Sequence, residues 1–198
     1  MMTNVIACID GSKATRAVSD ASGWAAMQLN APVTLLHVLD KSAYPTELNL
    51  SGNIGLGSRE HLLAEMVELE GRMSKLALEQ GKYMLQDAQT SIVAAQPSVA
   101  VQTLQRHGDL VETLLEQEAD ARLVVIGRQG EQHQDQAQAI GSHLESVIRT
   151  LKQPILVVMP EFAMPSRFMI AYDGSATSKT VLERVISSPL LKGLECHL

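Results

Sequence analysis

The chain has 198 residues, 45% of them hydrophobic, which is enough to bury a core and excludes an intrinsically disordered protein. Its net charge of −6 leaves no surplus of Lys and Arg to neutralise nucleic-acid phosphates or anionic lipid, and 3% aromatics offer few stacking platforms for bases. Two cysteines, Cys8 and Cys196, make no disulfide framework, and with no basic leader in residues 1–10 and no run of about 18 apolar residues the chain reads as cytoplasmic, with neither nucleic acid nor membrane as a partner.

Residues 4–9 (NVIACI) and 32–38 (PVTLLHV) are unbroken apolar runs of strand length, the pattern of strands covered on both faces. Between them residues 12–28 carry Ala14, Ala17, Val18, Ala21, Ala25 and Met27 at helical spacing, with Ser12 as a candidate N-cap. Residues 44–58, rich in Gly, Ser, Asn and Pro, predict a loop. Leu62, Met66, Leu69, Met73, Leu76 and Tyr83 then recur at spacings of three and four, with Gln80 interrupting. The stripe is read as a long amphipathic helix laid on a sheet; a coiled-coil seam is the alternative, set against it by Gly71 and Gly81, which lower helicity. Residues 98–104 predict a third strand. A helix over 109–119 follows, with Asp109 as N-cap and Glu112 three residues on. Residues 123–126 (LVVI) and 155–158 (ILVV) predict strands four and five, and 142–151 the helix between them. Strands alternating with helices predict an α/β fold with a doubly wound parallel sheet, which binds ligands beyond the carboxyl ends of its strands.

The opening recurs late in the chain. IACIDGS at 6–12 matches MIAYDGS at 169–175, so Asp10, Gly11 and Ser12 meet Asp173, Gly174 and Ser175, and at the same offset Val18 meets Val181. Residues 1–160 are therefore expected to form one complete domain and 166–198 the truncated start of a second copy, able to contribute packing to the first.

Gly127 and Gly130 directly follow strand four, and Gly141 and Ser142 open the next helix. Glycines let backbone approach a phosphate, and the free N–H groups of a helix start donate to it. A capping box of Ser142 and Glu145 explains the same residues without a ligand, and Glu131 and Asp135 in the intervening segment repel phosphate. Asp10 stands where a carboxylate could hold a ribose hydroxyl or a phosphate-bound metal, or could simply accept backbone hydrogen bonds in an Asp-Gly turn. The backbone of Val38, at the end of strand two, could reach an adenine, and Arg128 is the cation within the loop. Gly52, Gly55 and Gly57 follow no strand, and neither a GxxxxGK[ST] phosphate loop nor a G-x-S-x-G elbow occurs. The histidines at 37, 61, 107, 133, 143 and 197 show no metal-ligand spacing and read as surface or helix-end residues. No catalytic nucleophile is visible, so an enzyme is not expected.

Asp10, the pair His37–Val38, EADARLVVIGRQG at 118–130 and GSHLESVIRTLKQPILVV at 141–158 together resemble the universal stress protein family over residues 1–160, and the DGS restart at 173 resembles its tandem members. The resemblance implies a Rossmann-like sheet of order 3-2-1-4-5, ATP as ligand, with or without Mg, and homodimers joined through the fifth strand. Asp10 and Val38 would hold the adenosine, with Gly127, Arg128, Gly130, Gly141 and Ser142 around ribose and phosphates. ATP-binding members carry G-x2-G-x9-G-[ST]; here the segment between Gly130 and Gly141 is one residue longer. Two functions follow: a nucleotide-binding stress sensor or regulatory module, with slow hydrolysis through Asp10 and a metal as a lesser variant, or a nucleotide-free dimerisation or interaction module of the same fold.

Overall fold

A computed structural model describes residues 3–39, 56–128 and 142–197. Strands β1 (Asn4–Cys8), β2 (Val33–Leu39), β3 (Val101–His107), β4 (Ala121–Gly127) and β5 (Ile155–Val158) form one parallel sheet of order β3-β2-β1-β4-β5, as expected. Val5 lies opposite both Val33 of β2 and Leu123 of β4, which puts β1 at the centre. Helices α1 (Thr15–Leu29) and α2 (Leu56–Ala95) join β1, β2 and β3; α3 (Leu110–Gln117) and α4 (Ser142–Thr150) join β3, β4 and β5. Among the described residues, no helix is long and apolar enough to cross a membrane.

Side chains alternate across a strand, so a run buried on both faces must be apolar at every position. Val5, Ala7 and Ile9 enter one core with Val33, Leu35, Leu123 and Val125, closed by Trp24 and Leu29 of α1 and Leu85 and Ile92 of α2. Ile6 and Cys8 enter the other with Leu36, Val124 and Ile126, closed by Leu114 of α3 and Leu144, Val147 and Leu151 of the α4 region. Each fully buried Leu, Ile or Val contributes about 1.5–3 kcal/mol. The small residues of α1 let it sit close to α2: a Cβ added at Gly23 would lie 3.4 Å from Ile92. Asn30 ends α1 in the left-handed conformation at φ 49°, and Arg122 of β4 donates to the Leu29 carbonyl at 2.9 Å, satisfying an orphan group of the last turn.

Several local expectations shift. Ser12 does not cap α1: the helix starts at Thr15 after an Ala14 cap in helical conformation, and the Ser12 hydroxyl instead accepts from the Ala14 N–H at 3.2 Å. Strand three begins at Val101 rather than 98, because Gln96 to Val99 form a turn closed by the Val99 N–H on the Gln96 carbonyl. Its continuation through Gln105, Arg106 and His107 is polar because β3 is an edge strand with much of its surface in solvent. Asp109 caps α3 as expected, accepting from the Glu112 N–H at 2.9 Å, and the helix ends in a 3₁₀ turn at Glu118–Asp120. Of the loop expected at 44–58, residues 44–55 lie outside the described residues and 56–58 already belong to α2.

The largest departure concerns α2. A helix of this length spans about 60 Å, while seven-residue strands reach only about 23 Å. The sheet therefore covers only its C-terminal half, through Ala77, Leu85, Ala88 and Ile92. Leu62, Leu69, Met73 and Leu76, expected on the sheet, are exposed, and Tyr83 is exposed as well.

Beyond β5, strands β6 (Arg167–Met169) and β7 (Glu195–His197) form a separate parallel pair bridged by α5 (Ala176–Ser187). Val5↔Val33 in the first pair becomes Phe168↔Cys196 in the second, at the offset that carries Asp10 to Asp173. The segment docks on the first core: Leu190, Leu191 and Leu194 pack against it, and Phe162 meets Trp24 with ring centroids 6.1 Å apart.

Candidate functional site

β1 is followed at its carboxyl end by a turn whose conformation is fixed by Gly11, at φ 77°. Asp10 Oδ1 accepts from the Ser12 N–H at 3.0 Å and from the Thr15 hydroxyl at 3.4 Å. Both bonds fall on Oδ1, which leaves Oδ2 outside the turn network. The Asp-Gly turn is therefore real, and it uses half of the carboxylate. Met84 of α2 roofs the turn so closely that a Cβ on Gly11 would stand 2.6 Å from its sulfur.

β2 continues one residue past Val38, to Leu39. The Val38 side chain packs on the second core. The Leu36 carbonyl accepts from Ile9 on the β1 side and the Leu39 carbonyl accepts from Gly108 on the β3 side. Backbone groups alternate along a parallel strand, so the Val38 carbonyl turns toward β1, beyond Cys8 where β1 ends.

On the other side of β1, Gly127 ends β4 opposite Val158, and the Arg128 N–H donates to the Val158 carbonyl at 2.9 Å, which anchors the start of the loop to β5. Gly130 and Gly141 lie outside the described residues, and Ser142 is the first residue of α4. Glu145 of that helix holds Arg149 one turn on, at 2.7 Å. Asp10, Val38, Gly127 and Arg128 thus come together at the carboxyl ends of β1, β2 and β4. This is the switch point of the sheet, where the chain leaves β1 for β2 on one side and returns from β3 to β4 on the other.

Cys8 lies under this edge. Burial, with the Asp10 charge adding to it, pushes its thiol up to about 12, so it is a neutral apolar side chain at physiological pH. Among the described residues no group of three or more metal-ligating side chains forms.

His37, expected at the surface, is buried. Its Nδ1 is 2.7 Å from the Ile9 carbonyl oxygen, which can only accept, so Nδ1 carries the proton. Its other edge meets α2 at Gly81, where an added Cβ would lie 2.5 Å from His37 Cδ2 and overlap the Gln105 amide. Gly81, read from the sequence only as a weak helix former, is the notch that admits this clamp. The signal that could have revealed it is a glycine one helical span away from a histidine inside an otherwise apolar strand.

The second DGS turn repeats the glycine conformation and the Asp–Ser bond of the first, and differs in its helix cap. Gly174 also has φ 77°, Asp173 Oδ1 accepts from the Ser175 N–H at 3.0 Å, and Ser175 caps α5 through the Ser178 N–H. The hydrogen bonds from the Ser175 side chain and backbone, with Ser178 adding to them, hold the Asp173 carboxyl down at about 2. Unlike Gly11, Gly174 has open space around it.

The chain is similar to known proteins over most of its length. The model of the Universal stress protein family matches residues 1–159. Universal stress protein Slr1230 of Synechocystis sp. is 31% identical over 199 residues, a match that spans all of this chain and 69% of the relative. Among solved structures, a universal stress protein from Archaeoglobus fulgidus superposes with a TM-score of 0.58 at 17% identity, over 100% of this chain and 65% of the other. A universal stress protein in complex with cAMP superposes with a TM-score of 0.52 at 18% identity, over 81% of this chain and 98% of the other.

Proposed function

Since the chain belongs to the universal stress protein family, we propose that it is a cytoplasmic stress-response protein that binds ATP or a related adenine nucleotide as a sensor or regulatory module. The observation that carries this reading is the convergence of three kinds of recognition group at one switch point. Asp10 Oδ2 suits a ribose hydroxyl, the Val38 carbonyl suits the exocyclic amine of adenine, and Gly127 with Arg128 opens a loop suited to phosphates. The cAMP-bound relative supports the adenine class. Gly130, Gly141 and Ser142 complete the phosphate side in this proposal. Any Mg would enter on the nucleotide's phosphates, whose oxygens are its ordinary ligands.

The role is read as binding rather than turnover, since the Thr15 hydroxyl beside Asp10 is engaged in its turn. Phosphate release from Mg-ATP that vanishes in Asp10→Asn would replace this reading with that of a slow hydrolase. Residues 1–160 form the nucleotide-binding domain and 166–198 the opening of a second copy, which adds packing; pairing through β5 makes the homodimer. Calorimetric titration with ATP, cAMP and GTP tests the proposal: adenine nucleotides bind and GTP binds less tightly. Equal affinity for GTP contradicts it.

One observation favours a nucleotide-free interaction module. The turn at Asp173 shares the Ser N–H to Oδ1 bond of the turn at Asp10 while Gly174 stands in open space, so the DGS turn forms without the surroundings of the first. Gly141→Val separates the readings, since only a nucleotide cleft would lose its ligand.

A further inference from the structure

The N-terminal half of α2 projects past the sheet with an apolar stripe on it: Leu62 is 40%, Leu69 58% and Met73 45% exposed, with Leu63 and Val67 exposed alongside. Leu62, Met66, Leu69 and Met73 fall at alternating spacings of four and three, the a/d pattern of a two-helix seam, with Leu62 and Leu69 at d and Met66 and Met73 at a. A groove for a loop or a small molecule would not need this periodicity; a facing helix would. The flanking charges select the orientation. Glu65 and Arg72 occupy g positions and Glu70 an e position. A parallel pair sets Glu65 of each copy against Glu70 of the other, so both flanks repel. An antiparallel pair stacks Leu62 on Met73 and Met66 on Leu69, and it brings the g positions of both copies to one flank, where Glu65 of each copy stands beside Arg72 of the other, so both reciprocal pairs attract. In the single chain Arg72 is held by Glu68 one turn back, an exposed pair of small energetic weight that it can leave.

We propose that the projecting half of α2 is a self-association surface, on which a second copy of this chain docks antiparallel through Leu62, Met66, Leu69 and Met73, with reciprocal Glu65–Arg72 pairs. The arrangement is self-complementary about a two-fold axis crossing the helix between Val67 and Glu68, which is what a closed homotypic contact requires. It leaves each sheet at the far end of its own helix, and it is separate from pairing through β5.

Sedimentation velocity on the full chain over a concentration series tests it, with circular dichroism confirming that every variant is folded. The same series in a Val157→Arg background removes any contribution from β5. Leu69→Glu abolishes the association. Glu65→Arg and Arg72→Glu each weaken it by about tenfold through like-charge contacts in both reciprocal pairs. The double swap Glu65→Arg/Arg72→Glu restores it. A parallel pair would instead be strengthened by Glu65→Arg, which overturns the orientation. A wild type that does not associate in the Val157→Arg background, or an association indifferent to Leu69→Glu, overturns the proposal and leaves the stripe to its own chain or to a different protein.

Discussion

His37 Nδ1 lies 2.7 Å from the carbonyl oxygen of Ile9, a hydrogen bond that ties the carboxyl ends of β2 and β1 together at the notch Gly81 makes in α2. A side chain at Gly81 must displace this imidazole. On an open helix Gly→Ala stabilises by about 1 kcal/mol. Here Gly81→Ala reverses the sign and destabilises the fold by about 1–3 kcal/mol, because the added methyl overpacks a buried contact. Urea unfolding of Gly81→Ala beside Gly71→Ala, which has open space around it, checks this: the midpoints move in opposite directions.

The two DGS turns make an internal control. Gly11 and Gly174 share φ 77°, so either substitution to Ala incurs left-handed backbone strain of about 1–2 kcal/mol. Only Gly11→Ala also drives a methyl into Met84, and its thermal midpoint falls further than that of Gly174→Ala. Equal losses would mean that Met84 moves aside freely.

Asp10 separates structure from binding. Asn keeps an Oδ1 that accepts from Ser12, so Asp10→Asn holds the turn, whereas Asp10→Ala loses about 1 kcal/mol of stability with the acceptor. Both weaken nucleotide binding by about tenfold if Asp10 holds the ribose. Denaturation and calorimetry on the two variants read the two effects independently.

How much of this was legible in the sequence follows from what surrounds each element. β1, β2 and β4 are covered on both faces, and continuous apolar runs announce such strands; β3 lies at the edge, where Gln105 and Arg106 disguise its second half. Spacing along α2 revealed an apolar stripe but not its partner, because a sheet and another helix demand the same periodicity; strand length against helix length decides it. The positions of Asp10, Val38, Gly127 and Arg128 at strand ends were readable from the strand pattern, while the His37 clamp depends on a contact between β2 and a helix position 44 residues later in the chain. Gly130 and Gly141 lie outside the described residues.

Cys8 supplies a pH dependence. Its thiol is raised from 9.0 to about 12 by burial and then by Asp10, so in the folded state it stays protonated where the unfolded chain has already ionised. The contribution is complete below pH 9 and is lost progressively as the pH rises from 9.0 to about 12. Cys8→Ala flattens that part of the profile. At pH 8, native-state alkylation modifies exposed Cys196 quickly and Cys8 only on unfolding.

The proposed adenine-nucleotide site at the ends of β1, β2 and β4 is tested by thermal unfolding with and without Mg-ATP. At a nucleotide concentration of roughly a hundred times Kd the folded state gains about 2.7 kcal/mol, which for a chain of this size raises Tm by about 5–10 °C. The shift should shrink in Asp10→Asn. A folded protein whose Tm does not move at millimolar Mg-ATP would exclude that site.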